Sequence, residues 1–197
     1  MTETTIKKGW LAQWSTRDLM VTVVMALAVA IASIPLRLGT SALGLTLGPI
    51  VSVPLSSYVI LGGFFVAYVV RRPMAAAISQ LIVGLVLSVM MPGGLFLIIL
   101  YLIHAIAIEL PFVVTRYKRY DNWIMAIGGA VARFLILAAA WTAARLGDTN
   151  LLYQLGVVAG ALLGGAIAGL LAKLLAEAVA QTGILSISGD ESVETAV

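Results

Sequence analysis

Six long apolar runs follow one another along this chain, separated by short breaks rich in proline, glycine and charge. They cover residues 20–36, 47–70, 74–91, 95–114, 123–144 and 151–175. A helix that spans a bilayer needs roughly 20 apolar residues, so each run reads as one crossing. Pro49 and Pro54 interrupt the start of the second run. The breaks include Arg71-Arg72-Pro73 and Pro92-Gly93-Gly94, compositions that suit turns. The pattern predicts an all-α polytopic membrane protein with six transmembrane helices. It divides the chain into a leader (1–17), a six-helix substrate-binding domain (18–183) and an acidic tail (184–197). Ala30-Ile31-Ala32 mimics a signal-peptide cleavage site, but five further spans follow, so the first span is read as retained.

Composition agrees with the pattern. The 197 residues are 61% hydrophobic and 11% charged, with mean hydropathy +1.08. A soluble domain is nearer a quarter charged. There is no cysteine and one histidine, which removes disulfides, thiol chemistry and any multi-ligand His/Cys metal site. No Gly-x4-Gly-Lys-Ser/Thr phosphate loop and no Gly-x-Ser-x-Gly elbow occurs. The expectation is a non-enzyme without a cofactor.

Charge sets the orientation. Lys7, Lys8, Arg17, Arg71, Arg72, Arg116, Lys118 and Arg119 fall on one side of the predicted topology. Arg37 and Arg145 fall on the other, eight basic residues against two. Lys and Arg stay cytoplasmic, so both termini are expected in the cytoplasm of a multi-pass plasma-membrane protein. The small net charge of +3 reads as orientation, not as nucleic-acid binding. In the leader, Trp10 and Trp14 share a helical face beside Leu11, with Lys7 and Lys8 near lipid headgroups, a pattern for an interfacial helix.

Small residues mark close helix contacts. The first span holds Ala26-x3-Ala30 and Ala28-x3-Ala32, and the sixth holds Gly156-x3-Gly160-x3-Gly164 and Gly165-x3-Gly169. The glycines are read as packing within the bundle. The alanines suit either internal packing or a partner.

Polar residues inside the spans carry the candidate chemistry. Arg133 is the sole charge in its run and Glu109 the sole acid in the run before it. A charge near the bilayer centre costs at least about 2.5–3.5 kcal/mol on insertion scales, so it faces a partner or a polar cavity. Glu109, His104, Tyr101, Arg133, Trp141 and Gln154 are the candidate substrate-binding residues: aromatics to sandwich a ring, polar groups to read its edges. A structural ion pair between Glu109 and Arg133 is the alternative. Gln80 and the Lys173/Glu177 pair are read as structural.

Gly48-Pro49-Ile50, residues 67–73 with 75–79, Ile108-Glu109 through Phe112 to Thr115-Arg116-Tyr117-Lys118, and Gln181-Thr182-Gly183-Ile184-Leu185 carry a family resemblance. Over roughly residues 18–186 the chain resembles an S component of an energy-coupling-factor vitamin importer, an ABC-type system, in its YkoE-like branch for thiamine and hydroxymethylpyrimidine. The resemblance implies a subunit that captures a vitamin at its outer face, while a transmembrane coupling protein and two ATPase subunits drive transport. It assigns Glu109 to the ligand and Ala26, Ala28, Ala30 and Ala32 to docking on the coupling protein. The chain departs from the branch in carrying Val53, Gln80 and apolar residues where acids stand in spans two and three, and Arg133 in place of a small residue. A neutral pyrimidine, or a ligand with an acceptor or anionic group, therefore fits as well as cationic thiamine. The competing class is a small self-contained secondary carrier or channel using Glu109 and Arg133 as a relay, though no inverted repeat supports it. A purely structural assembly subunit is a third class.

Overall fold

A computed structural model describes residues 14–182; Lys7, Lys8, Trp10 and Leu11 of the expected interfacial helix, and the acidic tail, lie outside them. Among the described residues the protein is all-helical. The order is α1 Thr16–Leu47, α2 Pro49–Leu55, α3 Tyr58–Val70, α4 Ala75–Met90, α5 Leu95–Val114, α6 Asn122–Ala140, a short 3-10 turn Leu146–Asp148, and α7 Leu151–Gln181. Five segments are long and apolar enough to cross a membrane, counting Pro49–Val70 as one, and Ala75–Met90 is a shorter apolar helix.

The helix ends follow local chemistry. Ser15 caps α1, its hydroxyl accepting from the Asp18 N–H at 3.1 Å while Asp18 accepts from the Ser15 N–H at 3.2 Å. Asp121 and Asn150 cap α6 and α7 through the Ile124 and Tyr153 N–H groups. Chiefly the Ile124 N–H holds the Asp121 carboxyl below the ordinary carboxylate range. Gly48, with φ +73°, separates α1 from α2, a backbone that glycine adopts without a Cβ penalty. Pro54 and the Ser56-Ser57 turn then break the second span into α2 and α3.

The surface is that of a lipid-embedded bundle. Val89 is 87% exposed and Leu152 81%, an arrangement that only an apolar surround makes favourable. The interior is filled by Ile60, Phe64, Val66, Ile108, Phe112 and Met125. Helix α7 packs along α6 and also against α2 and α3. Its glycines serve these contacts, as the sequence suggested: Gly156 and Gly160 face Ile50 and Pro54, while Gly165 and Gly169 face the backbone of Gly129 and Met125. Gln80 donates to the Val59 carbonyl at 3.3 Å, and Lys173 lies 3.6 Å from Glu177.

The alanine ladders of α1 separate. Ala26 and Ala30 are fully buried inside the bundle, whereas Ala28 and Ala32 are exposed on its outside. Four alanines therefore do not form one docking face. Trp14 is drawn inward, its indole N–H donating to the Pro73 carbonyl at 3.1 Å. It fastens the start of α1 to the α3–α4 connection, which Arg72 also holds through Asp18 at 2.9 Å.

Candidate functional site

Helix α1 outruns its predicted span by eleven residues, from Leu36 to Leu47. The added turns carry Arg37, Thr40, Ser41 and Gly44, all on the wall of one polar cavity of about 320 Å³. Spacings of three and four place these residues on a single helical face. Ser52 and Ser56 from α2 and the turn after it, Tyr58 and Val59 from α3, Leu100 and His104 from α5, and Arg133, Ile136 and Ala140 from α6 complete the wall. Arg37, expected in a loop, is thus a cavity residue. The volume sits at the low end of the roughly 300–1,000 Å³ typical of small-molecule sites.

Arg133 is 7% exposed. One terminal nitrogen donates to the Val53 carbonyl at 2.7 Å and to the Ser56 hydroxyl. Its Nε is buried without a partner. The Pro54 break makes this possible, because the turn at Ser56 leaves the Val53 carbonyl free of the helical ladder. His104 donates from Nδ1 to the Leu100 carbonyl at 2.6 Å, which fixes the ring and leaves Nε2 as its free polar atom. Tyr101 stacks on His104 with ring centroids 5.3 Å apart, but it is only 1% exposed and stands behind the histidine. Its hydroxyl, near Arg37, makes no hydrogen bond of ordinary geometry.

The other three candidates lie elsewhere. Trp141, at the end of α6, packs in a separate apolar cluster with Leu137, Leu146, Val157 and Tyr153. Gln154 donates to the Leu146 and Thr149 carbonyls at 3.1 and 2.9 Å, closing the α6–α7 connection. Glu109 accepts from the N–H groups of Met74 at 2.8 Å and Ala77 at 2.9 Å. Met74, the N-cap residue of α4, has no side-chain acceptor to cap the helix and sits at φ +67°. Glu109 supplies that acceptor from α5 and sets a negative charge at the helix N-terminus. Glu109 and Arg133 therefore form no ion pair, each being held by uncharged partners.

The Glu109 end of the bundle is a structural cap. Burial first, then the hydrogen bond to Glu109, hold the Tyr117 hydroxyl above the ordinary phenol range. Burial, with the Glu109 charge behind it, pushes Tyr120 up to about 12. The segments 71–77, Ile108-Glu109 and Tyr117 that stood out in the sequence meet here rather than at the cavity.

A larger groove of about 580 Å³ between α2, α3 and α7 is walled almost wholly by apolar groups such as Pro54, Leu61, Leu163 and Leu171. It lies on the lipid-facing surface, so the smaller polar cavity is the candidate site. Among the described residues no three His, Cys, Asp or Glu side chains cluster to hold a metal ion.

Comparison with known proteins adds three findings. Residues 17–135 match the family model described as the permease component of the ABC-type cobalt transport system. The chain is 25% identical over 156 residues to "Putative HMP/thiamine permease protein YkoE" of Bacillus subtilis (strain 168), covering 76% of this chain and 78% of that one. It superposes on the crystal structure of an S-component of an ECF transporter with a TM-score of 0.85, at 23% identity, over 92% of this chain and 94% of the other. The last likeness establishes the fold.

Proposed function

The chain belongs to the family of permease components of ABC-type cobalt transport systems, and on that premise we propose that it is the substrate-capturing membrane subunit of an energy-coupling-factor importer for a vitamin or vitamin precursor. The observation that carries this reading is a cavity of small-molecule size, lined by polar side chains, in a bundle with the S-component fold. The named relative points to the hydroxymethylpyrimidine and thiamine branch. A bare divalent cation is a poor candidate for the cargo. The cavity offers one imidazole and hydroxyls beside two guanidiniums, whereas such ions want several carboxylate, imidazole or thiolate donors.

The topology that goes with this reading has six crossings and cytoplasmic termini. Basic residues support it: the sparse side carries only Arg145 in a connection and Arg37 late in α1. The cavity is built from the late part of α1, the start of α5 and the end of α6, all remote from the chain termini. With the termini inside, it faces outward, where a capture subunit meets its substrate. Energy then comes from a coupling protein and two ATPase subunits. The secondary-carrier reading loses its relay, since Glu109 is committed to backbone N–H groups.

In liposomes the purified chain is expected to bind but not to accumulate hydroxymethylpyrimidine. Sustained uphill uptake driven by a proton or sodium gradient, with no partner present, would sink the reading and restore the carrier.

Docking on the coupling protein falls to the exposed pair, Ala28 and Ala32. Ala28→Leu is expected to abolish co-purification with the coupling protein while the thermal unfolding of the chain stays unchanged, because a leucine there holds the partner backbone away. Ala30→Leu is expected to destabilise the chain itself, because Ala30 has no free surface. Full recovery of the complex with Ala28→Leu would remove this face from the interface.

A further inference from the structure

The cavity holds positive charge that no described carboxylate neutralises. Arg133 and Arg37 both line it, and the fields of both reach the His104 ring. Arg133 has only neutral acceptors, a carbonyl and a hydroxyl, and its Nε has none. Every described acid stands elsewhere. Asp18 pairs with Arg72, and Asp121 with Arg119 at 2.8 Å. Glu109 caps α4. Glu177 accepts from Tyr68 at 2.9 Å and pairs with Lys173. Asp148 is exposed on the 3-10 turn.

A guanidinium this buried is costly unless an opposite charge arrives. Arginine presents a planar fork of N–H donors that matches a carboxylate or phosphate in two-point contact. The unsatisfied Nε of Arg133 belongs to that fork. The hydroxyls of Ser52, Ser56 and Thr40 already donate to the Gly48, Val53 and Leu36 carbonyls, so of the four cavity Ser/Thr side chains it is Ser41 that has its proton left for an oxygen acceptor. A permanently cationic ring meets only repulsion from such a wall.

Resting on the reading of the chain as a capture subunit, we infer that its substrate is a small ring compound bearing an anionic group, a carboxylate or a phosphate, gripped between Arg37 and Arg133. The ring rests against His104, whose Nε2 reads a polar edge atom.

The test is titration of the full chain in nanodiscs with two matched pairs and one cation. The pairs are hydroxymethylpyrimidine with its phosphate monoester, and pyridine-3-carboxamide with pyridine-3-carboxylate; the cation is thiamine. At least one anionic member is expected to bind about tenfold or more tighter than its neutral partner, the scale of one charge-assisted hydrogen bond. Arg133→Gln is expected to erase that ratio, and Arg133→Lys, which keeps the charge, to retain part of it. Thermal unfolding is followed for each variant, and Arg37→Gln carries the test where Arg133→Gln does not fold. A neutral member or thiamine binding as tightly as the anions overturns the inference. So does a ratio that survives loss of either arginine, or saturable binding by neither anion. Co-purification with the coupling protein and ATPases separates the two levels. A chain that assembles but prefers a neutral ring or thiamine keeps the importer reading and loses this one.

Discussion

Glu109→Ala is expected to lower the stability of the folded chain by about 1–3 kcal/mol for the buried Ala77 N–H left without its acceptor, with a smaller addition from the part-buried Met74 N–H. The carboxylate is 5% exposed and bonds the first turn of α4 at Met74 and Ala77. Pro73 and Met74 offer no side-chain acceptor and Met74 is held at φ +67°, which leaves the Tyr117 hydroxyl as a second acceptor beside the Met74 N–H and, among the described residues, none for the Ala77 N–H. Glu109→Gln keeps one acceptor oxygen and is expected to lose about half as much. Both variants, once folded, are expected to bind ligand with unchanged affinity. Thermal unfolding in detergent, with hydrogen exchange at Met74 and Ala77, gives the first quantity, and ligand titration the second. Unchanged unfolding together with weakened binding would return the carboxylate to the ligand.

The sequence made Glu109 conspicuous but could not show its partner, which lies 35 residues away on another helix. What was legible was its complement, a helix start at Arg71-Arg72-Pro73-Met74 without a capping side chain. The apolar runs placed α5 at its observed bounds and α4 to within a residue at either end. They failed where polarity meant a cavity rather than a loop. Residues 37–44 look like a connection, yet Arg37, Ser41 and Thr40, Gly44 repeat at four-residue intervals on the face that turns inward. Ser52 and Ser56 repeat likewise. That spacing was the available signal for the half of the site missed beside His104 and Arg133. The span at 123–144 was overextended because alanine continues past Ala140 while the chain turns at Trp141. The two alanine ladders were also separable in advance. Ala28 and Ala30 are about 200° apart around a helix, so they cannot share a face.

Gly165→Leu is expected to cost about 3 kcal/mol or more in stability, at the upper end of overpacking effects. It is also expected to abolish ligand binding in whatever fraction folds. The pairing of α6 with α7 rests on backbone contact between Gly129 and Gly165 and between Gly169 and Met125. A Cβ on Gly165 would meet the Gly129 carbonyl oxygen, which belongs to a helix ladder and cannot yield. In lipid, helix association draws on such close van der Waals contact because burial of apolar side chains adds little. The same Cβ would stand 2.7 Å from Cβ of Arg133. The glycine therefore also sets how far Arg133 stands from the Val53 carbonyl and the Ser56 hydroxyl. Forcing α6 outward moves the guanidinium off both. Gly39→Ala is the matched control, because a Cβ there meets nothing within 4 Å. That change is expected to stabilise α1 by about 0.5–1 kcal/mol through helix propensity. Thermal unfolding and ligand titration of the two variants side by side decide the matter. Comparable stability for both would mean that α6 and α7 are not in backbone contact, and the placement of Arg133 would need another cause.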